Sequence, residues 1–305
     1  MKEKTIIRTS NFINTENFIK KIISSNKIGV IVGEKGSGKT FIKTKVLGRM
    51  QEDAHKYRVI EVGVIGEQVK NITSVMSSMI TGLSGENPNR DVEARRKQLR
   101  RVLGTAASQY EVVLTIDEAQ DLHHSTLRSL KKIHELAFGT MDRLFSIILF
   151  AQPSLVPKIS DDELKPRFKR YAMQKLTEEE KAKFIPNASI FTKEALALFL
   201  KRTRQNPLSV EESYSDLEDI KLEFELKQIE RKHVEDYFSV DLREKILGFG
   251  MSFRKLSSKI GVSATALHQV SQNKYPGDVG KIEAIINEYE EKYSKGDNRY
   301  AKQNS

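Results

Sequence analysis

The feature that most constrains this fold is a glycine-rich run, GEKGSGKT, at residues 33–40. It fits the pattern G-x-x-x-x-G-K-[ST]. The apolar segment KIGVIVG (27–33) leads into it, and the helix-forming segment FIKTKVLGRM follows it. A strand that turns through such a loop into a helix is the first half of a parallel crossover unit, in which the helix packs on a sheet. The run therefore predicts an α/β domain with a parallel sheet.

Other segments of the first half have the continuous apolar character of strands that are buried on both faces. They are RVIEVGVI (58–65), VVLTIDEA (112–119), LFSIILFA (144–151) and a weaker one, YAMQKL (171–176). Helical patterns lie between them. From Thr177 onward the pattern is entirely helical, with a clear amphipathic helix at 192–205. The sequence predicts a parallel sheet flanked by helices, followed by helical domains.

The glycine-rich run also predicts a nucleotide site. Its glycines allow backbone N–H groups to turn inward around phosphate oxygens, and the helix that follows adds its dipole. Lys39 would reach the β- and γ-phosphates, and the Thr40 hydroxyl would ligate Mg²⁺. An accidental glycine-rich turn would not require the strand before it and the helix after it. The expected cofactor-binding residues are Gly33, Glu34, Lys35, Gly36, Ser37, Gly38, Lys39 and Thr40.

Two adjacent carboxylates, Asp117 and Glu118, stand at the end of the third predicted strand. In P-loop NTPases an aspartate at this place holds Mg²⁺. A glutamate beside it can act as a general base toward the attacking water. A strand that merely leaves the sheet toward solvent would not explain the adjacency of the two acids. We therefore expect an ATPase with ATP and Mg²⁺ as cofactors, in which Asp117 serves the metal and Glu118 is the base.

Three further side chains are candidates for the same site. Gln152 follows the fourth predicted strand and could place its amide between the γ-phosphate and the water; the alternative is a local turn at Gln-Pro-Ser. Arg167 and Arg170 lie in LKPRFKRY, just before the fifth predicted strand. Either could reach the γ-phosphate of a neighbouring subunit as an arginine finger. The alternative for both arginines is a solvated basic cluster.

Taken together, GEKGSGKT, VVLTIDEAQDL, LRSLKKIHEL and ILFAQPSL resemble the AAA+ ATPases of DNA transposition, the family of the phage Mu B, TnsC and TniB proteins, over residues 5–238. ExeA-type ATPase modules are similar as well. The resemblance implies an AAA+ domain with a helical lid, ATP-dependent self-assembly on duplex DNA, target selection and activation of a transposase. Leu208 stands where many relatives have a nucleotide-sensing arginine, which leaves Arg202 and Arg204 as candidates for that role.

The segment SFRKLSSKIGVSATALHQVSQNKY (252–275) predicts a helix-turn-helix. Ser252 and Ser263 can each cap a helix, and Gly261 allows the left-handed turn between the two. The second helix would enter the major groove of DNA. The alternative is a small helical bundle for protein contacts. The expected DNA-binding residues are Arg254, Lys255, Lys259, Ser263, Thr265, His268, Gln269, Gln272 and Lys274.

The run NKYPGDVGKIEAII, which follows the predicted recognition helix, resembles the repressor-like module of the Mu B protein. In the Mu B protein the module precedes the ATPase, whereas here it follows. A second basic segment, RDVEARRKQLRRVL (90–103), is either a solvated helix or a further DNA contact.

The composition agrees with an anionic partner, because the formal net charge is +10. The chain has no cysteine, and its apolar runs are too short to cross a bilayer, so we expect a cytoplasmic protein without membrane contact. The expected domains are an AAA+ α/β domain (1–176), a helical lid (177–238), an all-α helix-turn-helix domain (239–293) and a flexible tail (294–305). The alternative functions are a replication initiator or helicase loader, and a nucleotide-switched DNA-binding regulator.

Overall fold

The computed structural model describes residues 6–63, 71–272 and 274–300, which form two compact units. The first unit is Met1–Glu180 together with Asn206–Leu208. The second unit is Lys181–Gln205 and Ser209–Ser305. The three residues Asn206–Leu208 therefore belong by their contacts to the first unit, although the chain on both sides of them belongs to the second.

The first unit is built on a parallel five-stranded sheet. In chain order the strands are β1 (Ile28–Val32), β2 (Tyr57–Val62), β3 (Glu111–Ile116), β4 (Ala137–Phe138), β5 (Met141–Asp142), β6 (Ser146–Ala151) and β7 (Phe168–Ala172). The sheet order is β2-β3-β6-β1-β7, with every neighbouring pair parallel. Strands β4 and β5 form a separate two-stranded hairpin.

Helices cover both faces of this sheet and form the second unit. In chain order they are α1 (Ser10–Ser24), α2 (Lys39–Glu52), α3 (Ile72–Ser84), α4 (Val92–Ala107), α5 (His124–His134), α6 (Glu178–Ala182), α7 (Lys193–Arg202), α8 (Pro207–Glu223), α9 (Arg231–Gly248), α10 (Phe253–Ile260), α11 (Ala264–Ser271) and α12 (Val279–Tyr300). Among the described residues, none of these helices is long and apolar enough to cross a membrane.

The central strands are buried on both faces, which explains their unbroken apolar sequence. In β6, Ile147 and Leu149 belong to one core cluster, whereas Ile148 and Phe150 belong to another. Successive side chains of a strand point to opposite faces, so the two clusters lie on opposite sides of the sheet. The α/β prediction is confirmed. The parallel order also brings the carboxyl ends of β1, β3 and β6 to one edge, and the candidate site lies there.

The predicted and observed strand boundaries differ mainly for β7, a strand at the edge of the sheet. Strand β7 begins at Phe168 instead of residue 171, because residues 168–172 pair with β1 in parallel register. It is an edge strand with mostly exposed side chains, so apolar character does not mark its beginning. Residues 64–65 of the second predicted strand lie outside the described residues. The hairpin β4–β5 was not predicted, since two-residue strands carry no periodicity.

The second unit contains two core clusters. One gathers α7, α8 and the first part of α9, with Phe199, Tyr214 and Phe238 in its centre. The other gathers the end of α9 with α10–α12. Helix α9 thus contributes to both clusters, and the expected domain boundary at 238–239 falls inside it. Helix α12 continues to Tyr300, so residues 294–300 of the expected tail are helical. Residues 301–305 lie outside the described part of the chain.

Candidate functional site

The glycine-rich loop joins the end of β1 to the first turn of α2. Gly36 and Gly38 both adopt a left-handed backbone, with φ of 79° and 88°. Gly38 is the N-terminal cap residue of α2. A side chain at either position would be strained, since this region favours glycine. The loop therefore wraps closely around the N-terminus of a 14-residue helix, where backbone N–H groups and the helix dipole favour an anion.

Lys39 is buried at the base of this loop. Its Nζ donates to the carbonyl oxygens of Gly33 at 2.7 Å and Glu34 at 2.8 Å. Desolvation lowers the pKa of this ammonium, against the opposing effect of Glu118, Asp117 and Glu34. The lysine is thus held inside the loop by the loop's own backbone. A buried ammonium beside helix-terminal N–H groups fits the phosphates of a nucleotide.

Asp117 lies beside the first turn of α2. The Thr40 Oγ1 hydroxyl is 3.5 Å from Asp117 Oδ2, which brings the two predicted metal-binding residues together. The donor set of a hydroxyl and a carboxylate suits a hard cation such as Mg²⁺. Both oxygens stand at the N-terminus of α2, next to the expected phosphates, so the site fits a Mg²⁺-bound nucleotide.

Lys43 was not anticipated in this site. Its Nζ lies 3.0 Å from Asp117 Oδ2 and also pairs with Glu61 in β2. Desolvation lowers the pKa of Lys43, but the hydrogen bonds with Glu61 and Asp117 outweigh it and leave the pKa raised. Lys43 occupies a buried position on α2, one turn after Lys39. A lysine on the buried face of a helix is the feature that could have revealed it, because such a charge needs a partner.

Glu118 follows Asp117 in a left-handed conformation that is uncommon for a residue with a side chain, with φ of 50°. Its backbone N–H donates to Asp117 Oδ1 at 3.0 Å. Strain of this kind costs on the order of 1–3 kcal/mol and concentrates at functional sites. The conformation turns the chain sharply out of β3 and leaves the carboxylate exposed at the sheet edge.

Two glutamine amides hold this carboxylate. Glu118 Oε2 accepts from Gln120 Nε2 at 2.5 Å and from Gln152 Nε2 at 3.4 Å. The backbone N–H of Gln152 in turn donates to Gln120 Oε1 at 3.0 Å. Lys158 Nζ donates to the carbonyl oxygen of Gln120 at 2.6 Å. The structure thus brings Gln152 to the acid pair and adds Gln120 and Lys158, neither of which the sequence had singled out.

The two arginine-finger candidates lie apart from the acid pair in the contacts of the described residues. Arg167 forms an exposed ion pair with Glu135, with NH2 and Oε1 3.1 Å apart. Arg170 lies in the middle of the edge strand β7, exposed and in register with Val30. A role in this chain's own nucleotide site finds no support in these contacts; a role toward a second copy stays a prediction.

The segment Asn206–Leu208 packs on the glycine-rich loop. The backbone N–H of Leu208 donates to the Gly36 carbonyl at 3.3 Å. A Cβ on Gly36 would approach Asn206 Oδ1 to 2.9 Å and Leu208 Cβ to 3.0 Å. The loop therefore needs glycine at position 36 for two reasons, its backbone conformation and this close approach.

Arg202 and Arg204, the two candidates for a nucleotide-sensing arginine, form ion pairs elsewhere. Arg202 NH2 lies 2.8 Å from Glu283 Oε2, and Arg204 NH2 lies 2.6 Å from Glu290 Oε2. Both acids belong to α12, within the second unit. The structure therefore does not support Arg202 or Arg204 as nucleotide sensors, because the guanidinium of each is already paired.

Helices α10 and α11 meet at a tight turn with the expected local chemistry. The side chain of Ser252 accepts from Lys255 N, and that of Ser263 accepts from Ala266 N. Gly261 ends α10 with φ of 73°, and its N–H donates to Ser257 O. Leu256, Leu267 and Val270 are buried beneath the pair.

Most of the expected DNA-binding side chains of this helix pair are exposed. They are Arg254, Lys255, Lys259, Ser263, Thr265, His268, Gln272 and Lys274, whereas Gln269 is half-buried. The ring of His268 packs edge-on against Phe253 with centroids 5.5 Å apart, so this side chain also contributes to local packing. Exposure leaves these groups accessible, and contact with DNA stays a prediction.

Part of the chain that includes this site is similar to a known family of domains. A family model described as an AAA domain matches residues 21–159, which include the glycine-rich loop, the acid pair and Gln152. No curated protein matches the sequence significantly.

Several solved structures share the fold along most of the chain. The ORC2 protein of Aeropyrum pernix is 12% identical, with a TM-score of 0.55 and coverage of 94% of this chain and 86% of its own. Cdc6p of Pyrobaculum aerophilum is 14% identical, with a TM-score of 0.55 and coverage of 96% and 88%. The A. pernix ORC1 protein in complex with DNA is 12% identical, with a TM-score of 0.52 and coverage of 92% and 76%. The first unit therefore has the fold of a P-loop AAA+ domain, with a helical C-terminal region after it.

Proposed function

We propose that this chain is an AAA+ ATPase that binds duplex DNA under the control of its nucleotide. One observation carries the ATPase part. Lys39 and Thr40, which begin the helix after β1, come together with Asp117 and Glu118, which follow β3, around a loop that fits phosphate. Four groups of complementary chemistry, brought together by a parallel sheet, are the arrangement that nucleotide hydrolysis needs.

Each residue has a distinct role in this proposal. When bound, Mg²⁺·ATP supplies an electrophilic phosphorus and an anionic leaving group. The backbone of residues 33–40 and the Lys39 ammonium bind the phosphates, while Thr40 and Asp117 hold the metal. Glu118 takes the proton of the attacking water, and the Gln152 amide orients that water. Lys43 holds Asp117 in place through Oδ2, the same carboxylate oxygen that the Thr40 hydroxyl approaches.

The DNA-binding part rests on α10–α12 and on charge. The exposed face of α10 and α11 carries short polar side chains and a basic rim, and the chain has a net charge of +10. The A. pernix ORC1 protein, which shares the fold, has been seen in complex with DNA. Helix α11 is the candidate recognition helix, with Gln269 and Gln272 toward adenine edges and the basic residues toward phosphates.

Within this class we propose a role in DNA transposition. The Asp-Glu-Ala-Gln sequence at 117–120 and the Gln-Pro after β6 resemble the transposition ATPases. In that role the protein would assemble head to tail on duplex DNA, select a target and activate a transposase, with hydrolysis by Glu118 timing disassembly. Arg167 or Arg170 would reach the γ-phosphate of the next copy.

A second candidate function is that of a replication initiator or helicase loader. The fold likeness to the ORC and Cdc6 proteins, which extends over more than nine-tenths of the chain, favours it. The two candidate functions share the ATPase domain and the proposed DNA-binding helices α10–α12, and they differ in the partner protein. A pull-down with the purified protein, tested against a transposase and against a replicative helicase, separates the two candidates.

The first experiment measures binding of random-sequence duplex DNA with ATP, with ADP and without nucleotide, over a salt series. We expect binding that requires ATP and falls steeply with salt. Lys39→Ala should abolish ATP-dependent DNA binding, because it prevents nucleotide binding. Glu118→Gln should slow hydrolysis by roughly 10²- to 10⁴-fold and trap the DNA-bound form. Lys132→Ala, on an exposed face of α5, is the matched control and should behave like the unmodified chain.

Two results would contradict this proposal. Normal hydrolysis by Glu118→Gln would remove Glu118 from the role of base. Tight binding to one sequence without any nucleotide effect would instead identify a regulator in which α10–α12 act alone.

A further inference from the structure

We propose that Gln120 is a positioning residue that joins the general base Glu118 to Gln152. This inference rests on the proposed ATPase function and deepens it. The side chain of Gln120 spans the ends of two strands: its Nε2 donates to Glu118 Oε2 at 2.5 Å, and its Oε1 accepts from the backbone N–H of Gln152 at 3.0 Å. Glu118 follows β3, whereas Gln152 follows β6.

A side-chain amide can make both of these hydrogen bonds at once. A glutamine offers a donor and an acceptor on neighbouring atoms, whereas an ionised glutamate offers acceptors alone. The partner on one side is a carboxylate, which must receive a donor, and the partner on the other side is an N–H, which must find an acceptor. The chemistry at the two ends therefore suits Gln at position 120 and excludes an ionised Glu.

The backbone of Gln120 is fixed as well. It lies in the short 3-10 turn Ala119–Asp121, directly after the strained Glu118. Lys158 Nζ donates to the carbonyl oxygen of Gln120 at 2.6 Å and to that of Leu122 at 3.1 Å. An ammonium with two carbonyl partners holds the turn in place. The side chain of Gln120 thus extends from an anchored backbone.

The two hydrogen bonds of Gln120 form a bridge that couples the positions of Glu118 and Gln152. Gln152 also donates directly to Glu118 Oε2, at the longer distance of 3.4 Å. Gln152 would meet the γ-phosphate at the end of β6. A displacement there also moves the Glu118 carboxylate, which takes the proton of water, because Gln120 connects the two. Since a displacement of about 1 Å can change a rate about 100-fold, control of the carboxylate's position is control of hydrolysis.

The test compares Gln120→Ala with the isosteric Gln120→Glu in the full-length protein. Gln120→Ala loses both hydrogen bonds, whereas Gln120→Glu keeps an acceptor for the Gln152 N–H and loses the donor to Glu118. We expect both variants to lower kcat for ATP hydrolysis roughly 10- to 100-fold. The Kd for a fluorescent ADP analogue should stay within about threefold, because neither substitution touches the loop that binds the phosphates.

A second readout does not depend on ATP. Amide hydrogen exchange of Gln152 in the nucleotide-free protein should accelerate in Gln120→Ala and remain protected in Gln120→Glu, because only the first removes the acceptor of this N–H. Gln109→Ala, at an exposed position after α4, is the matched control and should change neither quantity.

The kinetic coupling between the two glutamines completes the test. If Gln120 and Gln152 act as one unit, Gln120→Ala combined with Gln152→Ala should hydrolyse ATP no more slowly than the slower single variant. Three results would overturn the proposal. They are hydrolysis by both Gln120 variants within about twofold of the unmodified chain, unchanged amide exchange at Gln152 in Gln120→Ala, and a double variant in which the rate losses of the two single variants multiply. A chain that hydrolyses no ATP before substitution would instead refute the ATPase function, and the exchange result would still decide whether the bridge exists.

Discussion

At the scale of single residues, His134 has an unusual environment outside the site. This last residue of α5 is buried against Phe145, with the two rings edge-on and their centroids 5.6 Å apart. Within the described residues, its Nε2 is buried without a hydrogen-bond partner. Desolvation lowers the pKa of His134 to about 4, and the charge of Arg143 acts in the same direction against a hydrogen bond with the backbone of Asn26. His134 is therefore a neutral core residue at neutral pH.

This environment predicts a stability that depends on pH. In the unfolded chain the pKa of a histidine is about 6.5, so the unfolded state binds more protons than the folded state between pH 6.5 and 4. The free energy of unfolding should be unaffected by His134 above pH 6.5 and should fall by about 3 kcal/mol as the pH drops toward 4. Urea unfolding at a series of pH values measures this decrease. In His134→Leu the slope over this range should be shallower; an unchanged slope would assign it to other groups.

At the scale of elements, the sequence predicts best what short motifs and uniform burial determine. The strand, loop and helix around Lys39 follow from eight consecutive residues, and β1 and β6 follow from apolar runs with both faces buried. Gln120 and Lys43 could not be assigned in this way, since each has a partner that is distant in sequence and meets it only through the parallel order of the sheet. The edge strand β7 was misplaced by three residues, because it has one mostly exposed face and little pattern.

The glycine-rich loop gives a prediction at this scale. Gly36→Ala should strain a left-handed backbone and drive a methyl group against Asn206 and Leu208. We expect a loss of stability of about 1–2 kcal/mol and an affinity for nucleotide at least about tenfold lower. Thermal unfolding and titration with a fluorescent ADP analogue measure the two effects.

Gly48→Ala is the matched control for this substitution. Gly48 lies inside α2, and a Cβ there would meet nothing within 4 Å. The same change should therefore stabilise the protein by about 0.5–1 kcal/mol, because alanine is the better helix former. A Gly36→Ala variant that binds nucleotide as well as Gly48→Ala does would contradict the close approach of Asn206–Leu208 to the loop.

At the scale of the whole molecule, a few buried charges link the helices of the second unit in addition to its two core clusters. Lys181 is 2% exposed and donates its ammonium protons to the carbonyl oxygens of Leu200 and Thr203 at the end of α7. Arg202, the last residue of α7, pairs with Glu283 of α12. The side chains of this pair are 12% and 7% exposed. The helical region before α10 is thus joined to the C-terminal helices by an ion pair that water hardly reaches.

Removing one member of this pair should be costly. Glu283→Ala leaves the Arg202 guanidinium buried without its counter-charge, which typically costs about 3–5 kcal/mol. Hydrogen exchange in peptides from α7 and α12 should increase together in this variant. Glu235→Ala is the control, because it breaks an exposed pair with Arg231 in the same unit and should leave exchange nearly unchanged. Faster exchange in α12 alone would show that the pair does not join the two regions.

The position of Asn206–Leu208 has a consequence for how the protein is made. These three residues complete the surroundings of a loop that lies near the beginning of the chain, yet they are synthesised only after α6 and α7. When the ribosome has synthesised all five strands of the sheet, Asn206 and Leu208, which pack against Gly36, have not yet been made. The loop acquires its final neighbours only when synthesis has passed residue 208, so a chain that stops earlier leaves the phosphate-binding loop without this contact.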